Sequence, residues 1–140
     1  MELYEFIQSP AVTCTAETTL AETARLMEQH NVGSVIVVDR RGAVIGMVTD
    51  RDLALRGMAA EREPQTPVTE IMTKTVTSLR DDADVFDAAQ EMETSACRRL
   101  PVTGADGALK GVIALDDLMV FFTRQADHLA HVVAAEIAGQ

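Results

Sequence analysis

Residues 46–53, GMVTDRDL, are echoed by residues 111–118, GVIALDDL, and the same offset of 65 residues aligns much of the chain without a gap. It pairs Ala24 with Ala89, Met27 with Met92, Glu28 with Glu93, Val37 with Val102, Gly42 with Gly107, Asp52 with Asp117 and Leu53 with Leu118. A chain that repeats itself at these punctuation points builds one structural unit twice. A half of roughly 65 residues buries only a marginal core by itself. The two units are therefore expected to pack sheet to sheet across a pseudo-twofold axis.

Each copy reads as helix, strand, strand, helix. In the first, Thr19 to Glu22 has the spacing of a capping box, and Leu20, Ala24 and Met27 keep a helical period until Asn31 and Gly33 stop it. Ser34 to Asp39 is a β-branched run, Arg41-Gly42 a turn, and Ala43 to Thr49 the returning strand. The second copy predicts a helix over about Asp84 to Thr94, a strand at Arg99 to Thr103, a turn at Asp106-Gly107 and a strand at Leu109 to Ala114. The segment 58–70, polar and carrying Pro64 and Pro67, reads as a connector. This is an α/β (α+β) chain of two repeats, 1–65 and 66–140, each a small sheet with flanking helices. The last helix runs on past its counterpart, with Leu118, Phe122, Gln125, Leu129, Val132 and Ile137 near one stripe. Either a core helix or a self-association surface would carry such a stripe.

The formal charge of −10 disfavours nucleic acid and anionic membrane surfaces as partners, since the long-range field repels phosphate. A phosphate-bearing ligand then needs a local basic pocket. The N-terminus lacks a secretory pattern, and no run approaches the roughly 20 apolar residues of a membrane span, so a cytoplasmic location is expected. The two cysteines, Cys14 and Cys97, lie far apart and form no CxxC. They read as buried free thiols.

Three segments carry a family resemblance: DRRG at 39–42, GMVTDRD at 46–52 and RRLPV at 98–102. The chain resembles a tandem pair of cystathionine-β-synthase domains (a CBS pair, or Bateman module) from about Ser9 to Leu118. That resemblance implies two units packed by their sheets, two clefts between them that often accept adenine nucleotides, frequent dimerisation, and no catalysis. It further implies that the cleft built on Thr49 and Asp52 is completed by Arg98 and Arg99 of the other copy. The base would lie near Val76 and Thr77.

A strand that ends at Thr49 and turns straight into a helix would present backbone N–H groups and a positive dipole end to a phosphate, with the Thr49 hydroxyl beside them. Asp52 could accept both ribose hydroxyls. Thr49 and Asp52 also have the spacing of a capping box, which explains a helix start without any ligand. Both readings stand on sequence. Arg51, Arg56, Arg98 and Arg99 are the candidate phosphate partners, and so few cations among many acids favour AMP or ADP over ATP or a dinucleotide. The pseudo-equivalent cleft keeps Asp117 for Asp52 but has Ala114 for Thr49 and Ser34 for Arg99. It is expected to be the weaker or empty one.

His128 and His131 share a helix face with only Asp127 as an acidic companion, too few ligands for a metal site. His30 sits at a helix end, where the dipole favours a cation-capable ring. Asp81, Asp82, Asp84 and Asp87 suit a helix start and lack the order of a calcium loop. No nucleophile–base constellation, P-loop or GxGxxG is present, so no catalytic residues, metal or required cofactor are expected. The expected function is that of a stand-alone regulatory protein, a homodimer that binds an adenine nucleotide as regulatory ligand and signals to an unidentified regulated protein. The alternative is a structural dimerisation module with vestigial clefts.

Overall fold

The computed structural model describes residues 1–7 and 11–140; Ser9, where the resemblance begins, lies outside them. In chain order the elements are β1 (Thr13–Cys14), α1 (Leu20–His30), β2 (Ser34–Val38), β3 (Val44–Thr49), α2 (Asp50–Asp52, continued by a π-helical turn at Leu53–Met58), β4 (Leu79–Arg80), α3 (Val85–Ser95), β5 (Arg99–Thr103), β6 (Leu109–Ala114) and α4 (Leu115–Ala138). The sheets are β1-β2-β3 and β4-β5-β6. In each, the outer short strand is parallel to the middle one and the last two form an antiparallel hairpin, with Ser34 opposite Thr49 and Arg99 opposite Ala114. The turns match as well: Gly42 and Gly107 take φ of 82° and 81°, a left-handed conformation that costs glycine nothing.

Local chemistry explains the helix limits. Thr19 caps α1 by accepting from the Glu22 N–H at 3.2 Å while Glu22 accepts from the Thr19 N–H at 3.1 Å. Asp84 and Asp87 form the corresponding box on α3. Both helices end on a left-handed residue, Asn31 in the first copy and Ala96 in the second. Asparagine takes that conformation at little cost, whereas for alanine the Cβ makes it costly. Ala96→Gly is therefore expected to stabilise the protein by about 1 kcal/mol, measurable as a raised urea midpoint at constant m-value.

Val35, Val37 and Val48 point from the first sheet onto Leu20 and Met27 of α1. Leu100, Val102 and Ile113 do the same against Val85, Ala88 and Met92 of α3 and Leu118 of α4. The intervening residues of the middle strands, Ile36 and Pro101, are also buried, on the faces the two sheets turn toward each other.

The packing units do not follow the boundary at residue 65. Leu3, fully buried, belongs to the second core, and the backbone around it pairs there: Leu3 N–H to Ala83 O at 2.9 Å and Tyr4 N–H to Asp81 O at 3.0 Å. Val68 and Ile71, at the end of the connector, close the first core, with Val68 N–H to Thr18 O at 2.7 Å. Each repeat's leading segment thus docks on the other repeat. Glycine allows the close approach: a Cβ on Gly46 would strike Met72, and one on its counterpart Gly111 would strike Ile7.

Candidate functional site

Both strand-to-helix octets are closed by their own aspartates. Asp52 accepts from the Thr49 N–H at 2.9 Å and its own N–H donates to Thr49 Oγ1 at 3.1 Å, while Asp117 accepts from the Ala114 N–H at 2.9 Å. At the Thr49 turn the remaining amides are spent too, Asp50 N–H on Gly33 O at 3.0 Å and Arg51 N–H on Asp50 Oδ1 at 2.9 Å, while at the Ala114 turn Leu115 N–H goes to Arg98 O at 2.8 Å. The expectation of open backbone donors for a phosphate at Thr49 is thereby corrected. The capping box that competes with it is fully formed. Thr49 retains its hydroxyl proton for donation. The second oxygen of Asp52 lies 4.0 Å from Arg56 Nε, whereas Asp117 makes no ion pair among the described residues.

Asp52→Ala should cost about 1 kcal/mol as a lost cap, and Asp52→Asn much less, because an amide oxygen still accepts from the Thr49 N–H. Urea denaturation of both variants checks this.

Two cavities between the sheets obey the same offset of 65. One, of about 140 Å3, is walled by Val76 and Thr77 with Met47, Ser95, Cys97 and Arg99. The other, of about 530 Å3, is walled at the equivalent positions by Ala11, Val12, Val112, His30, Val32 and Ser34, and in addition by Arg99, Asp116 and Asp117. Between them, at the axis, Arg51, Arg98 and Arg99 meet Asp50 and Asp116 around a hollow of about 260 Å3. The cleft with the poorer set of sequence partners is thus the roomier one. The matched positions differ in size, Val112 standing in the larger cleft where Met47 stands in the smaller and Ser34 where the smaller has Arg99, whose side chain borders both.

The structure brings Arg99, Val76 and Thr77 to one cavity, Ser34, Arg99 and Asp117 to another, and Arg51, Arg98 and Arg99 to the axial hollow. Thr49 and Asp52 are not on the wall of any of these hollows. Sequence reading missed His30, Gly33 and Asp50. The offset of 65, applied to Val76 and Thr77, points to Ala11 and Val12. Both cysteines are free thiols, but Cys14 alone is buried and Cys97 is half-buried, which corrects the expectation for Cys97; burial pushes both thiols above the ordinary value of 9.0. His131 meets Asp127 at 3.8 Å on an exposed face. Among the described residues no three His, Cys, Asp or Glu side chains gather for a metal, and no helix is long and apolar enough to cross a membrane.

The sequence profile described as CBS domain matches the chain twice, over residues 3–57 and 68–124. The CBS domain-containing protein YhcV of Bacillus subtilis is 44% identical over 108 residues, which are 77% of this chain and 76% of that protein. The CBS domain pair of protein MJ0100, solved with 5′-methylthioadenosine and S-adenosyl-L-methionine, superposes with a TM-score of 0.81 at 22% identity, over 89% of this chain and 98% of that one. The CBS domain protein PAE2072 of Pyrobaculum aerophilum, complexed with AMP, superposes with a TM-score of 0.78 at 24% identity, over 84% of this chain and 89% of its own. At such identities these two structures demonstrate a common fold.

Proposed function

The chain belongs to the CBS domain family and carries the domain twice, and from that premise we propose that it is a cytoplasmic regulatory protein, without catalysis of its own, that binds an adenine nucleotide between its repeats. AMP or ADP suits the site better than ATP or a dinucleotide, because three arginines at the axis are offset by Asp50 and Asp116. The observation that carries this reading is the cleft of about 530 Å3 that has Arg99 and Asp117 on its walls. Its size falls in the usual range for small-molecule sites, and it supplies one cation for a phosphate and one uncommitted carboxylate oxygen for ribose hydroxyls. AMP in the PAE2072 complex supports the ligand class. Bound nucleotide would bridge the two repeats and bias their relative orientation, which a partner protein could read.

Thermal unfolding with AMP, ADP, ATP and NAD tests the reading. A ligand at 100 times its Kd adds about 2.7 kcal/mol, and a domain of this size gains roughly 2–4 °C per kcal/mol. Asp117→Ala should remove most of the shift. No shift with any of the four would leave the second reading, a dimerisation module with vestigial clefts. That alternative draws on one observation, the helix cap that Thr49 and Asp52 form with each other.

Either reading includes a homodimer. Leu129, Val132, Val133 and Ile137 on the outer part of α4 are 68%, 58%, 55% and 68% exposed, an apolar stripe for which a second copy of the chain is the natural cover.

A further inference from the structure

Resting on the nucleotide reading, we propose that Arg99 is one phosphate-binding cation shared by both clefts, so that a phosphorylated adenine ligand held in one weakens the binding of a second in the other. By its place in the repeat, Arg99 belongs to the first cleft, and its counterpart in the second is Ser34, which carries no charge. Its side chain does not stay there. The guanidinium reaches across to the first repeat and rests on Gly33, where a Cβ would lie 2.7 Å from Nη2 and 3.3 Å from Cζ. Glycine at 33 is what admits it. From that position Arg99 borders the smaller cleft, the larger cleft and the axial hollow alike. Of these three hollows, Arg51 and Arg98 border the axial one alone.

The guanidinium is also uncommitted. Arg98 pairs with Asp116 at 3.8 Å, and Arg56 donates to Ile71 O at 3.0 Å, but Arg99 makes no ion pair among the described residues. Asp50 stands close by, its Oδ2 3.3 Å from the same point on Gly33. A guanidinium offers a planar fork to a phosphate, and its single positive charge does not balance two phosphates drawn toward it together. The first ligand to arrive draws it in. The second then meets a cleft without its cation, facing Asp50 or Asp116 and the first phosphate. Because the coupling is a free energy between sites, it acts equally in both directions.

The test uses AMP and adenosine, which differ by the phosphate alone, and two variants that each close one cleft at equivalent positions: Ala11→Trp for the larger and Val76→Trp for the smaller. Isothermal titration is expected to show Arg99→Ser weakening AMP by about tenfold to hundredfold in both single-cleft variants, with adenosine changed less than twofold. In the unblocked protein the second AMP should bind at least tenfold more weakly than the same cleft does alone, and Arg99→Ser should abolish that difference. A loss confined to one cleft, or two independent AMP sites in the unblocked protein, overturns the sharing and leaves the nucleotide reading intact. Failure of both AMP and adenosine to bind overturns the nucleotide reading, and the sharing with it. Should a tryptophan variant not fold, amide shifts at Val12 and Val76 during AMP titration of the wild type and Arg99→Ser report the two clefts separately. Arg99→Ser should then lower the apparent affinity at both residues.

Discussion

Leu3→Ala is expected to destabilise the protein by about 2–5 kcal/mol, the usual cost of removing a fully buried leucine from a packed core. Few positions so near a chain terminus carry that weight. Leu3 is 0% exposed and sits among Val85, Ala88, Met92, Leu100 and Leu118 of the second repeat. The loss should appear there and not in the neighbouring sequence. Hydrogen exchange is the discriminating measurement: amides of β5 and β6 should lose protection before those of β2 and β3. Val68→Ala should show the reverse order, since Val68 is its counterpart in the first core. A change below about 0.5 kcal/mol, the scale of an unremarkable surface substitution, would contradict the crossed packing.

Removal of residues 125–140 is expected to convert a dimer to a monomer while leaving the stability of the fold nearly unchanged. Every residue from Thr123 to the end of α4 is exposed, so the deletion takes no side chain from either core. A lone helical extension of this length is marginal in water, which is a physical reason for it to be covered. Sedimentation velocity on both proteins gives the answer. A truncated chain that remains dimeric would place the interface elsewhere, for example on the exposed Leu55, Met58, Met119 and Val120 of α2 and α4.

Much of this architecture was readable in the amino-acid order because the repeat is local in its signals. The β5 and β6 limits coincide with the expected runs, and the Thr19 to Glu22 box caps α1 as its spacing predicts. Three features were not readable, each for a physical reason. The docking of Leu3 and Val68 on opposite repeats depends on which distant surface is uncovered, and MELYEF and the proline-bearing connector carry no period that reports it. The π-helical turn at Leu53–Met58, where an ordinary helix was expected, accompanies the burial of Gly57 against Leu20, a tertiary contact. The sizes of the two clefts go with side-chain volume at Met47 against Val112 and with where the long Arg99 side chain lies. A matching of motifs weighs chemical type and overlooks that volume. The octet itself left a phosphate seat and a helix cap equally open, and the structure shows the cap complete.

The exchange of leading segments has a bearing on synthesis. The first repeat obtains its last buried side chains, Val68 and Ile71, shortly after its own strands have been made, and so can close while the chain is still emerging from the ribosome. Residues 1–7, made before the first repeat, must wait until α3 and β5 exist before Leu3 has anywhere to go. A ribosome-bound chain stalled with residue 75 exposed should thus protect β1 to β3 from protease while its first residues remain cleavable, and full resistance should arrive only with the later half.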